Sequence, residues 1–305
     1  MRNVIFSVLC IFSLIVRAYE GGNFIASDLL ATMEQGDKAA LLMVHFGTSH
    51  DETRAVTIDA INAKAKAAFP QLEVREAYSS RIVIRILRKR GTEKLNPLDA
   101  LLNLRGEGYT HVVVQSSHIL EGAEMESLRK DVAAVAPFFK EIRVGAPLLY
   151  TAGDMEKVAS VFESRKPEKG DMVLVGHGTY TPATATYAMM DYIFKANGST
   201  HIHVGTVEGY PTFETVRAQL KAAKARRVTL APMMFVAGDH ARNDMAGEWK
   251  EALEKEGFNV DVRMEGMGEI PQIQDIFIDH IRFILHHKMQ DITEKKKRYA
   301  KEQER

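Results

Sequence analysis

Cysteine is nearly absent. The single Cys10 in 305 residues lies inside the first apolar run. A chain that sheds that run keeps no thiol, so disulfides and thiolate ligands are excluded and any metal site must use histidine and carboxylate. Net charge is missing as well, because 40 Lys and Arg balance 40 Asp and Glu. No overall field gathers nucleic acid or an acidic membrane, so neither is expected as a partner. The phosphate loop G-x-x-x-x-G-K-S/T does not occur, and nothing in the chain suggests ATP use. No G-x-G-x-x-G follows the first strand, which argues against a nicotinamide or flavin. No G-x-S-x-G elbow marks a serine hydrolase. No nucleotide cofactor is expected.

Long apolar runs are also scarce, and the one present opens the chain. Met1-Arg2-Asn3 supplies a short positive start, residues 4–16 are almost unbroken apolar, and Val16-Arg17-Ala18 offers small or aliphatic side chains where signal peptidase reads. Residues 1–18 read as a secretory signal, too short for a comfortable span, and predict a periplasmic protein. An uncleaved anchor is the competing reading. A lipoprotein fits poorly, since Val8-Leu9, not small residues, stand just before Cys10. Residues 19–38 read as a leader with a short amphipathic piece at 24–33.

From residue 39 onward, short apolar runs alternate with helical patterns. Composition is that of an ordinary soluble protein, 46% apolar and 26% charged. Strands are expected at 40–44, 72–78, 111–115 and 142–146, then again at 172–175, 202–207, 228–232 and 260–264, with helices between them. The chain divides into a first lobe at 39–150, a second at 151–290 and a charged tail at 291–305. THVVVQSSHILEGAE lies on RRVTLAPMMFVAGDH without a gap, setting Gly122 on Gly238 and Glu124 on His240. VHFGTS lies on VGHGTY with Phe46 opposite His177, and EVREAYSS lies on HVGTVEGY with Tyr78 opposite Glu208. The expected fold class is therefore α/β, with two Rossmann-like, doubly wound parallel-sheet lobes related by internal duplication.

Three strand ends carry candidate chemistry. DMVLVGHGTY ends in His177 between two glycines, VGTVEGYP in Glu208, and VTLAPMMFVAGDH in His240; positions 177, 208 and 240 are spaced by 31 and 32 residues. One strand–helix–strand unit per interval brings all three to the carboxyl edge of one sheet, where ligands bind in open α/β folds. Taken singly, His177 is a turn histidine, Glu208 a turn or cap acid, and His240 a helix-start residue. Together, two imidazoles and a carboxylate suit a divalent first-row metal with room left for a substrate. Thr48 and Ser49, in the turn after the first strand, are candidate substrate contacts. His118 ends a first-lobe strand, and Glu124 falls opposite His240 across the duplication. The pairs His201/His203 and His286/His287 are weaker candidates.

LLMVHFGTS, EAYSSRIVIRIL, VVVQSSHILEGAE, VLVGHGT, VGTVEGYP, MMFVAGDHARNDMAG and GMGEIPQIQDIF, in this order from residue 39 to 287, resemble the anaerobic sirohydrochlorin cobaltochelatases of the CbiK type, within the class II chelatases. The resemblance implies a tetrapyrrole held between two lobes. It also implies ATP-independent insertion of a divalent ion (Co²⁺, alternatively Fe²⁺, as substrate), bound by His177, Glu208 and His240. His177 or Glu208 can accept a proton leaving the ring, and Glu124 is the first-lobe candidate for that role. The eight carboxylates of sirohydrochlorin call for cations, for which Arg54, Arg81 and Arg85 are placed near the first-lobe edge. The signal segment departs from a cytoplasmic biosynthetic role. It leaves open an exported metal or tetrapyrrole (haem) carrier using the same cleft, with His118 as an axial ligand and a metal or haem transporter as partner. Self-association through the tail is also left open.

Overall fold

The computed structural model describes residues 23–303; the signal segment and Cys10 lie outside the described residues. The described chain begins with β1 (Phe24–Ala26) and then builds two parallel sheets of four strands each. In the first, β2 (Ala39–His45) lies between β3 (Glu73–Tyr78) and β4 (His111–Ser116), with β5 (Glu141–Val144) outside β4. The second repeats this order with β6 (Asp171–Gly178) between β7 (Ile202–Glu208) and β8 (Arg227–Pro232), and with β9 (Asn259–Val262) outside β8. Every neighbouring pair in these sheets is parallel, so each crossover needs a covering element.

In the first lobe those covers include α1, in which Asp51–Arg54, a wider π turn at Ala55–Asp59 and Ala60–Ala68 run on as one helix. α2 (Arg81–Lys89), α3 (Pro97–Gly106) and α4 (Ala123–Val135) follow. The start of α3 is written in the sequence. Asn96 accepts the Asp99 N–H at 3.1 Å, and Pro97 occupies the first turn, where its missing N–H costs nothing. α5 (Ala152–Ser164) leads into the second lobe through a reciprocal Thr151–Asp154 cap. That lobe carries α6 (Ala185–Ala196), α7 (Phe213–Ala222) and α8, which opens as a π segment at Ala241–Trp249 and continues as Lys250–Lys255.

Strand alternation sends side chains to a central core on one face of each sheet and an outer core on the other. Leu41 and Met43 from β2 join Met172 and Leu174 from β6 in one central cluster shared by both lobes. Ala40, Leu42 and Val44 face an outer cluster of the first lobe, and Val173 and Val175 an outer cluster of the second. The last long helix, α9 (Pro271–His286), feeds Ile273, Phe277 and Ile281 into the central cluster and packs on β4 and β5 of the first sheet. The chain then returns as β10 (His287–Met289), antiparallel to β1, and ends in α10 (Ile292–Gln303), which buries no residue. The expected amphipathic piece at 24–33 is therefore corrected. Its first residues are a strand because they find a partner at the far end of the chain, which no local periodicity reveals, with Ile25 opposite Lys288.

The duplication extends to individual hydrogen bonds. Ser117 N–H donates to Val44 O at 2.9 Å, and Met233 N–H donates to Val175 O at 2.7 Å, which are the same positions in the two lobes. Gly47 and Gly178, also matched, turn at φ +98° and +96°. One sequence alignment is corrected. Ala77 pairs with Val44, and Gly205 with Val175, so Tyr78 corresponds to Thr206 and Glu208 to Ser80. A slip of two residues preserves which face each side chain occupies, so alternation could not detect it.

Candidate active site

His177 is carried to the carboxyl edge by β6, and the glycines on either side have definite tasks. A Cβ on Gly176 would stand 2.3 Å from the Tyr187 ring, and one on Gly178 would stand 1.4 Å from the Glu208 carbonyl oxygen. The glycines thus admit close neighbours, an aromatic ring beneath and the end of β7 alongside. Gly178 and Glu208 are direct register partners, which holds Glu208 level with the turn. His240 arrives from the other side, at the start of α8, where Gly238 precedes it as Gly122 precedes α4.

The two imidazoles meet edge to face, with Nε2 to Nε2 at 3.2 Å and ring planes at 89°. Their protons can be assigned from the opposite nitrogens. His177 Nδ1 lies 3.1 Å from the Gly178 carbonyl, and His240 Nδ1 lies 2.7 Å from the Asp244 carboxylate. Neither partner can donate, so both Nδ1 atoms carry hydrogen, which leaves two Nε2 lone pairs 3.2 Å apart. Only a shared proton or a cation suits that arrangement. With metal–nitrogen bonds of about 2.1 Å, two nitrogens 3.2 Å apart subtend about 100° at one ion, a cis pair that leaves other positions open. Asp244 was missed in the sequence, although its position four residues after His240 is a readable signal.

Glu208 is exposed, with its backbone paired to Gly178, the residue after His177. Among the described residues, no three His, Cys, Asp or Glu side chains converge as a group able to hold a metal, so the imidazole pair is the assembled part of the expected set. Glu124 stands half-buried in the first turn of α4. A Cβ on Gly122, at the cap of that helix, would lie 3.2 Å from Thr179 Oγ1, two residues past His177. The start of α4 therefore abuts the second-lobe turn. The reciprocal contact is His50 Nε2 to Asp239 Oδ1 at 2.8 Å, joining the first-lobe turn to the residue before His240. Sequence reasoning missed this bridge, because its partners are 189 positions apart.

The remaining candidates divide. Thr48 is buried and its Oγ1 accepts the His50 N–H at 3.2 Å, shaping its own turn, while the Ser49 carbonyl accepts from Arg90. Arg54 is held by Asp51 at 2.7 Å and Asp59 at 3.3 Å. Arg81 opens α2 and Arg85 lies in its middle; both are exposed, and the Arg81 charge opposes the rise that burial gives the Asp131 pKa. His118 is 8% exposed, with Nε2 3.3 Å from Ser79 Oγ and Nδ1 buried without a hydrogen-bond partner. Burial pushes its pKa down to about 3, aided by nearby His45, so the ring is neutral. His203 is buried among Asp171 and Gln219, and His286 pairs with Asp28, both away from the imidazole pair.

A family model described as cobalt chelatase (CbiK) matches residues 39–286. The sirohydrochlorin cobaltochelatase of Salmonella typhimurium is 34% identical over 257 residues, covering 82% of this chain and 97% of that one. The sirohydrochlorin cobaltochelatase CbiKC of Nitratidesulfovibrio vulgaris is 34% identical over 255 residues, covering 80% and 89%. Among solved structures, SirB from Bacillus subtilis with Fe³⁺ superposes with a TM-score of 0.61 at 16% identity, covering 81% of this chain and 96% of that one, which is a likeness of fold.

Proposed function

The chain belongs to the cobalt chelatase (CbiK) family, and from that premise we propose that it inserts a divalent ion, Co²⁺ or Fe²⁺, into sirohydrochlorin without ATP. The observation that carries the reading is the imidazole pair, with two Nε2 atoms 3.2 Å apart and both Nδ1 atoms committed to acceptors. Two neutral nitrogens hold a metal by one edge and can release it, whereas a closed four-ligand cage would keep it. Insertion removes two N–H protons from the macrocycle. Glu208, exposed at the end of β7, and Glu124, from the opposite lobe, are the carboxylates that can accept them, and the Asp244 carboxylate holds His240 in the ligating tautomer. Arg81 and Arg85, exposed on α2 of the first lobe, supply charge for the ring's carboxylates.

The test is turnover. A catalytic amount of protein with excess sirohydrochlorin and Co²⁺ or Fe²⁺, without nucleotide, should give many equivalents of metallated ring, followed by absorbance. A change that stops at one equivalent would replace this reading with a carrier using the same cleft, which the family does not favour. We also propose, from the apolar run at 4–16, that the reaction is periplasmic. A mature chain beginning at Tyr19, found by mass spectrometry of a periplasmic extract, supports this; an intact Met1 in the cytoplasmic fraction overturns it.

A further inference from the structure

We infer that Phe46 is the plate against which the macrocycle lies, on the face opposite the metal-holding imidazoles; this rests on the proposed function and specifies its substrate jaw. The turn Phe46-Gly47-Thr48 is the first-lobe copy of His177-Gly178-Thr179. The strands entering the two turns share one register, and the glycines turn at φ +98° and +96°. The third strands match likewise, which sets Glu124 at the position of His240. His177 meets His240 at 3.2 Å, and Phe46 and Glu124 stand at the first-lobe positions that match this pair.

Local contacts fix the backbone that carries the side chain. His45, which ends β2, is fully buried and bonded to Ser117 at 2.8 Å and Asn62 at 3.0 Å, so the strand end just before Phe46 is anchored. The Phe46 carbonyl is tied to the Ser80 N–H, and the turn is pinned against the second lobe through His50 and Asp239. The ring remains 41% exposed. A single exposed phenyl is ordinary on a protein surface; this one takes the position that the other lobe gives to a ligating histidine. A phenyl cannot ligate. It can stack on a flat conjugated ring, so metal is held on one side and the ring on the other, and the ion has only one direction in which to leave.

The test compares Phe46→Ala and Phe46→Trp with the wild type. Sirohydrochlorin affinity is read by fluorescence titration without metal, and KM for Co²⁺ by steady-state insertion. Phe46→Ala should bind the ring about tenfold more weakly, the scale of one lost stacking contact. Phe46→Trp should stay within about threefold. KM for Co²⁺ and the thermal midpoint should hold in both variants. Unchanged ring affinity in Phe46→Ala overturns the inference while leaving the chelatase reading standing, and so does an equal loss of Co²⁺ affinity. A wild type that neither binds nor metallates sirohydrochlorin overturns the functional reading and this inference with it.

Discussion

The two lobes share a strand order, a turn glycine and a set of edge hydrogen bonds, yet at the cleft they differ at nearly every chemical position. The second lobe has His177 and His240 where the first has Phe46 and Glu124. Duplicated backbone therefore sets where side chains stand, and a few substitutions set what each jaw can do. Beneath the edge the contrast is reversed. The first lobe buries His45 and His118 where the second has Gly176 and Met234. Buried histidines near a cleft invite a functional reading, but the assembled donors are the half-exposed pair, because a ligand must be reached from the cleft.

The division of labour can be broken most severely in the second lobe. His177→Ala or His240→Ala should abolish Co²⁺ binding measured by calorimetry and lower kcat/KM by on the order of a hundredfold to ten-thousandfold. Glu124→Gln should keep Co²⁺ affinity within about threefold and lose about a hundredfold in turnover, since it removes a proton acceptor rather than a ligand. Equal loss of metal in the Glu124 variant would show that both jaws ligate and would dissolve the distinction.

The matched glycines test the backbone half of the comparison. Each turns at a positive φ that an alanine adopts only with strain. The new Cβ meets the side chain of Tyr78 at Gly47, but at Gly178 it meets the Glu208 carbonyl, where a side chain's freedom to shift is absent. Gly178→Ala should cost about 3 kcal/mol or more and Gly47→Ala about 2 kcal/mol, read by denaturant unfolding. A reversed order would mean that the β6–β7 edge yields more easily than the Tyr78 packing.

What the sequence disclosed follows from how each feature is encoded. Apolar runs broken by glycine made both sheets and the strand-end positions of His177 and Glu208 readable, whereas His240, expected at a third strand end, opens α8 eight residues past β8; the gapless match of β4 with β8 placed Glu124 opposite His240. The match of β3 with β7 slipped by two residues because a period of two is blind to that error, and the slip disguised Ser80 as unrelated to Glu208. The β1–β10 pair, the His50–Asp239 bridge and the return of α9 to the first sheet depend on contacts between distant positions, which no local pattern carries. Asp244 was within reach, since one helical turn separates it from His240.

The smallest expected effect bears on the buried part of the comparison. His118 and its second-lobe counterpart Met234 are each 8% exposed, so the fold accepts a thioether at that position. Burial pushes the His118 pKa down from 6.5 to about 3. The unfolded chain therefore binds a proton below pH 6.5 that the folded chain refuses until about pH 3. Stability from this group is complete above the unfolded value and declines as pH falls between the two. His118→Met removes the titration. At pH 7 the change should be within about 1 kcal/mol, since it exchanges a long Ser79 contact for relief of an unpartnered nitrogen. Between pH 6 and pH 4 the variant should gain on the wild type by about 1.4 kcal/mol per pH unit, measured by urea unfolding. His45, also held below its usual value by burial, remains in both proteins and cancels in the difference. Parallel pH profiles would mean that His118 takes up its proton within the fold. It would then be reachable from solvent, and the claim that chemistry is confined to the half-exposed pair would lose its main support.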